Sequence, residues 1–251
     1  MVEVIKIGQI VPSSNVTMER EIPALFRARE TILPERFSFH ASRMRMKTVT
    51  KDELAAMDAA SDRCAMELSD AKVDILGYAC LVAIMAMGKG YHRQSESRLR
   101  QRTAENGAAV PVVTSAGALI AGLQRLGAKR IALIAPYMKP LTRLVVDYIE
   151  SEGIEVKDYL ALEIPDNLQV GERDPLALVE LHQRLNVEGV DAIVLSACVQ
   201  MPSLAAIATV EAKVGVPVVS AATCTAWQMM KKLGLEPRVP QAGALLAGGF
   251  A

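Results

Sequence analysis

Short runs of β-branched and apolar residues alternate along this chain with longer stretches whose apolar positions recur every three or four residues. Runs of the first kind suit strands buried on both faces of a parallel sheet, and stretches of the second kind suit helices that cover it. The pattern predicts strands over residues 5–11, 36–40, 75–79, 110–113, 130–135, 156–162, 192–196 and 216–219. Helices are expected over residues 51–69, 88–106, 116–126, 141–151, 175–186, 203–214 and 225–233. Gly107, Gly127, Gly153, Gly215 and Gly234 stand where several of these helices stop, as left-handed C-caps do. This is the pattern of an α/β fold with mainly parallel sheets.

The pattern also repeats. Ile7-Gly8-Gln9-Ile10-Val11-Pro12 returns as Ile131-Ala132-Leu133-Ile134-Ala135-Pro136. Val73-Asp74-Ile75-Leu76-Gly77-Tyr78-Ala79-Cys80 returns as Val190-Asp191-Ala192-Ile193-Val194-Leu195-Ser196-Ala197-Cys198. Val110-Pro111-Val112-Val113 returns as Val216-Pro217-Val218-Val219. One match could be shared strand vocabulary, but three in the same order, at offsets of 124, 118 and 106 residues, imply two copies of one set of βα units. The expected architecture is two α/β halves related by a pseudo-twofold, with the active site in the cleft between them.

The repeat places Cys80 and Cys198 at equivalent carboxyl ends of buried strands, each ahead of an apolar helix, where ligands of open α/β sheets bind. Four loops then converge: Ser13-Ser14-Asn15, Cys80-Leu81-Val82, Tyr137-Met138-Lys139 and Cys198-Val199-Gln200. Backbone N–H groups at such turns favour a thiolate and can cradle a carboxylate. A lone cysteine in an apolar run is ordinarily packing, and that reading is kept for Cys64 and Cys224. Asp74 and Asp191 precede their strands and suit turns at the sheet bottoms. Among the histidines, His40, His92 and His182, none is expected at a strand end inside the repeat. Gly88-Lys89-Gly90 reads as a helix break, and the arginine-rich stretch 93–102 as a solvated helix face.

Composition narrows the function further. The 28 basic and 28 acidic residues cancel, which leaves no electrostatic footprint for nucleic acid or an anionic membrane. The run Met1-Val2-Glu3-Val4-Ile5-Lys6 is too charged for a signal segment, and the apolar stretch near residues 79–87 is too short to span a bilayer. The four cysteines have neither disulfide-framework nor CxxC spacing, so reduced thiols in a cytoplasm are expected. A homodimer or higher homo-oligomer is the default for an enzyme of this size.

The duplicated two-cysteine layout resembles the aspartate/glutamate racemase superfamily, whose members often return the C-terminal helix to the first half. That resemblance implies a first half of residues 1–114 with 225–251 and a second of residues 115–224. Within it the chain is similar to the maleate cis-trans isomerases over essentially its whole length. The similarity is carried by Val11-Pro12-Ser13-Ser14-Asn15, by residues 77–88 around Cys80, by Ala135-Pro136-Tyr137, and by Ser196-Ala197-Cys198-Val199-Gln200-Met201. The resemblance implies that maleate becomes fumarate without a metal or organic cofactor, in a setting of nicotinate degradation. It implies that Cys80 attacks the alkene to give a succinyl-cysteine and that Cys198 moves the proton. It further implies that Asn15, Tyr137 and Asn167 hold the two carboxylates, with backbone N–H groups near Leu81, Val82, Val199 and Gln200 as anion-binding turns. Leu81-Val82 and Val199-Gln200 replace the polar pair that amino-acid racemases of the superfamily carry after their cysteines. Both thiols are kept, whereas arylmalonate decarboxylases keep one. A racemase of amino acids or hydantoins, a decarboxylase and a non-catalytic dicarboxylate-binding protein are the competing readings.

Overall fold

The computed structural model describes residues 4–249, so Met1-Val2-Glu3 at the start and Phe250 and Ala251 at the end of the expected first half lie outside the described residues. The chain opens with β1 (Val4–Pro12), α1 (Met18–Glu30), β2 (Arg36–Met44), α2 (Lys51–Asp70), β3 (Ile75–Tyr78), α3 (Leu81–Ala86), α4 (Tyr91–Glu105), β4 (Val112–Thr114) and α5 (Ser115–Arg125). It continues with β5 (Arg130–Ala135), α6 (Lys139–Ser151), β6 (Glu155–Ala161), α7 (Asn167–Gly171), α8 (Leu178–Leu181), β7 (Ala192–Ser196), α9 (Leu204–Val214), β8 (Val218–Ser220) and α10 (Ala221–Lys232). The fold is α/β, with two four-stranded sheets ordered β2-β1-β3-β4 and β6-β5-β7-β8. Every pairing within them is parallel.

The repeat extends to single hydrogen bonds. Asp74 Oδ2 accepts the N–H of Lys6 at 2.7 Å, and Asp191 Oδ2 accepts that of Arg130 at 2.8 Å, so both aspartates staple sheet bottoms. The N–H of Ala79 donates to the Ile10 carbonyl at 2.8 Å, and that of Ala197 to the Ile134 carbonyl at 2.9 Å. One residue breaks the symmetry. In the first half Gly77 and Tyr78 pair with Val113 and Thr114, whereas in the second Val194 and Ser196 pair with Val219 and Ser220. Leu195 is thus the extra residue of the second copy, absorbed as a bulge three positions before Cys198. Bulges next to sites re-aim the chain that follows.

Several elements differ from the sequence expectation, each for a local reason. Helix α1 was not expected, and Pro23 lies inside it; Ile22, Leu25 and Phe26 nevertheless bury one face against the core. The apolar stretch after Cys80 forms α3, and α4 begins only at Tyr91, because Gly88 and Gly90 adopt φ of +117° and +71°. The helix expected over 175–186 breaks into a 3-10 turn at Pro175–Ala177, α8, and another 3-10 turn at His182–Arg184. Helix α10 starts at Ala221, where Ser220 and Thr223 form a capping box, so a break at residue 225 would cut a helix. It packs along α5, where a Cβ on Gly122 would stand 2.8 Å from the Cys224 sulfur. The five helix-ending glycines all have positive φ, from +71° to +98°.

Candidate functional site

The carboxyl ends of β1, β3, β5 and β7 meet around a small cavity lined by Cys80, Cys198, Asn15, Tyr137, Asn167 and Gln200. Leu81, Val82 and Val199 form its apolar wall, and Met46 and Val49 reach over it from the β2–α2 loop. All four expected loops therefore arrive, although Lys139 does not: it is exposed and pairs with Glu163 at 3.4 Å. Wider grooves of about 1010 and 1180 Å³ border residues 239–241, but neither is lined by a cysteine or a histidine, so chemistry rather than volume identifies the site. The histidines stand elsewhere. His40 lies within β2 beside Ser38, His92 bonds Tyr148 at 2.6 Å, and His182 is buried outside the cavity.

The two thiols are 6% and 5% exposed. Burial dominates their chemistry, pushing Cys80 from 9.0 up to about 12 and raising Cys198 as well. Opposing that, the amides of Val82 and Ala83 in the first turn of α3 favour a Cys80 thiolate. Cys198 is favoured by the Tyr137 hydroxyl and by the amides of Gln200 and Met201, with the Gln200 N–H 3.3 Å from its sulfur. Tyr137 is influenced by both thiols, and burial first, then these sulfurs, lift it well above the ordinary phenol range. The neighbourhoods differ in backbone too. Cys80 leads directly into α3, whereas Cys198 leads into a turn held by the Ser196 hydroxyl, which donates to the Cys198 and Met201 carbonyls at 2.8 and 3.1 Å. The helix after Cys198, expected over residues 203–214, begins at Leu204.

Asn15 is oriented by α1. Its Oδ1 accepts the N–H groups of Thr17 at 3.0 Å and Met18 at 2.8 Å, capping the helix start. That leaves the NH₂ toward the cavity, with a long 3.5 Å contact to the Val199 carbonyl. Asn167 donates one hydrogen to Ser14 Oγ at 2.8 Å. The Gln200 side chain, by contrast, is consumed by the protein. Its Nε2 donates to the Ser14 carbonyl at 3.0 Å and the Asn167 carbonyl at 2.8 Å, and its Oε1 accepts the Val16 N–H at 2.9 Å. Gln200 is therefore a clasp that fastens the Cys198 turn to the loops carrying both asparagines. Glu21 adds a second clasp, accepting the N–H groups of Ser203 and Leu204 at 2.6 and 2.7 Å.

Sequence reasoning missed Met46, Val49 and Glu21, whose contribution depends on contacts with distant segments. It placed Arg98 on a solvated face, yet Arg98 turns inward to Asp58 at 2.9 Å. One arginine within an arginine-rich helical stretch carries no local signal of that kind.

The profile of the arylmalonate decarboxylase family matches residues 7–246. By sequence, the chain is 66% identical over 250 residues to a maleate isomerase of Pseudomonas putida, covering all of both chains. It is 46% identical to a maleate isomerase of Nocardia farcinica, over 96% of this chain and 95% of that one. Among solved structures, the maleate isomerase Iso of Pseudomonas putida S16, as a cysteine-to-alanine variant with maleate, is 63% identical with a TM-score of 0.98 over 99% of each chain. The Nocardia farcinica maleate cis-trans isomerase, as a cysteine-to-serine mutant with a covalently bound succinylcysteine intermediate, is 45% identical. Its TM-score is 0.94, over 97% of this chain and 98% of that one. Arylmalonate decarboxylase at 22% identity and a TM-score of 0.83 shares the fold.

Proposed function

Because the chain belongs to the maleate isomerases, within the wider arylmalonate decarboxylase family, we propose that it converts maleate to fumarate through a succinyl adduct on Cys80. The observation that carries this reading is the meeting of two buried thiols at one small cavity whose other polar groups are neutral donors. Neutral amides and a hydroxyl can hold carboxylates, while Leu81, Val82, Val199 and Met46 offer nothing to an ammonium group.

Rotation is blocked in maleate by its double bond. The cycle starts from Cys80 as a thiolate and Cys198 as a thiol, a state that the amides of Ala83 and Val82 favour against the burial that pushes the Cys80 thiol up to about 12. Formation of the bond from Cys80 Sγ to one alkene carbon drives the π electrons onto the neighbouring carbon and its carboxylate, and leaves a single bond free to turn. Amide donors from Asn15 and Asn167 at the carboxylates stabilise that charge, a contribution of about 10²–10³ in rate for each well-placed donor. Cys198 gives its proton to the charged carbon, which completes succinyl-Cys80 and leaves Cys198 a thiolate. After rotation Cys198 takes a proton from that carbon, the C–S bond breaks, and fumarate departs with Cys80 again a thiolate. Nucleophile and proton carrier both belong to the chain, so the scheme requires no metal or organic cofactor. The unlike settings support these unequal roles: the Cys198 sulfur is engaged by Tyr137 and Gln200, as suits a proton carrier. The Nocardia farcinica cysteine-to-serine mutant with a covalently bound succinylcysteine intermediate supports a path through such an adduct.

Incubation with maleate, followed by proton NMR, should show fumarate. Cys80→Ala should abolish both turnover and adduct, whereas Cys198→Ser should trap a succinyl mass on the Cys80 peptide. An adduct on Cys198 would reverse the roles. We place the enzyme in the cytoplasm because its four cysteines are unpaired, and we expect a homodimer. The division of the halves is proposed as 1–114 with the C-terminal segment, its second break moved to the start of α10.

A further inference from the structure

Behind Cys80 lies a buried polar cluster that takes no part in the cavity wall. Asp58, on α2, is 2% exposed. Its Oδ1 accepts the Tyr78 hydroxyl at 3.1 Å, and its Oδ2 accepts the Tyr91 hydroxyl at 2.6 Å and Arg98 Nη1 at 2.9 Å. Arg98 also donates to Ser61 Oγ at 2.9 Å and pairs with Asp62 at 3.1 Å. The groups facing Asp58 are thus Tyr78 from β3, Tyr91 and Arg98 from α4, and Ser61 and Asp62 from its own helix. Together they tie α2, β3 and α4 around α3, the helix that Cys80 leads into.

Among the described residues the cluster has no counterpart beside Cys198. The position two residues before each cysteine is Tyr78 in one half and Ser196 in the other, and Ser196 bonds only within its own turn. Replacing a buried ion pair by apolar residues is often neutral or stabilising, so the pair alone is weak evidence of a role in stability. Its placement on the side of one thiol only is the informative feature.

We propose that Asp58, acting through Tyr78, is a positioning residue for Cys80, fixing the end of β3 and the first turn of α3 so that the sulfur is aimed at the alkene. The inference rests on the proposed isomerisation and adds a reason for the unequal thiols. The negative charge of Asp58 also reaches the sulfur. After burial and alongside Cys198, it helps to hold the Cys80 thiol above its ordinary range.

The test uses full-length Tyr78→Phe and Asp58→Asn. Three quantities are measured: kcat and KM for maleate, the melting temperature, and the pH profile of Cys80 alkylation by iodoacetamide, followed on its peptide by mass spectrometry. Tyr78→Phe should lower kcat about tenfold with KM within about twofold, since small misplacements of reacting atoms act on the chemical step. Asp58→Asn should lower kcat similarly and shift Cys80 alkylation to lower pH, because a neighbouring anion has been removed. Wild-type kcat and an unshifted alkylation profile in folded variants, with only a lower melting temperature, would overturn the proposal. If Asp58→Asn does not fold, Tyr78→Phe, which deletes one hydroxyl, decides it by kcat. Alkylation needs no maleate, so a wild-type protein that makes no fumarate defeats the function while this profile still reports on Asp58.

Discussion

Replacing Asn15 by aspartate should separate the cap that its side chain gives α1 from its proposed hold on a substrate carboxylate. The cap uses Oδ1, which accepts from Thr17 and Met18, and aspartate supplies the same acceptor. Asparagine and aspartate are nearly equal as helix N-terminal caps, and a negative charge there gains about 0.3–1 kcal/mol from the helix dipole. That gain offsets part of the cost of a charge at a position 2% exposed. Asn15→Asp should therefore melt close to the wild type. Asn15→Ala removes the acceptor and strands two buried N–H groups at about 1–3 kcal/mol each, so a loss of roughly 2–6 kcal/mol is expected. At about 2–4 °C per kcal/mol for a chain of this size, that is a fall of roughly 4–24 °C. Activity follows another order. Aspartate loses the NH₂ donor, a factor of about 10²–10³. It also sets a like charge near the substrate carboxylate, worth about 4 kcal/mol at 4 Å and an effective dielectric of 20. Asn15→Asp should lose at least about 10³-fold in kcat/KM, and Asn15→Ala somewhat less. Thermal melts together with NMR-monitored conversion of maleate measure both. An aspartate variant within tenfold of wild type, or one that melts as low as the alanine variant, would refute the assignment of Asn15.

Gly171→Ala should open the Gln200 clasp, because its Cβ would stand 2.5 Å from Val16 Cγ2 and 2.7 Å from Gln200 Nε2. A loss of about 1–3 kcal/mol by denaturant titration, with a raised KM, is expected. Tyr137→Phe removes a hydroxyl that favours the Cys198 thiolate. Without it that thiol binds its proton more tightly, so the falling limb of kcat in alkali, where Cys198 loses the proton it must donate, should move to higher pH; an unmoved limb would detach Tyr137 from Cys198. Stability itself should fall in alkali. Burial raises the Cys80 thiol from 9.0 to about 12, so its neutral form favours the fold fully below pH 9 and that support is lost as pH climbs toward 12. Each such group contributes about 1.4 kcal/mol per pH unit over that window, and equilibrium unfolding at pH 8, 9.5 and 11 checks the slope.

Much of this protein is legible in one dimension. Strand-length apolar runs and helix-length periodic stretches determined the α/β class, because burial on a sheet imposes those periods wherever the chain goes. Duplication made Cys80 and Cys198 equivalent, and Asp74 and Asp191 with them, since each pair serves its strand through contacts that recur in both copies. The extra residue at Leu195 was visible as a nine-residue match to eight, but only strand pairing identifies it as a bulge. Tertiary structure alone decided the rest. It closed Met46 and Val49 over the cavity and turned Arg98 inward to Asp58. It joined Gln200 to Ser14 across 186 positions and Glu21 to Ser203 across 182. Hydrogen bonds over such separations leave no period in the sequence, because each partner satisfies only its own local geometry until the halves meet. Thus the sequence by itself determined two like thiols at the ends of two like strands, and the packing around them made them unlike.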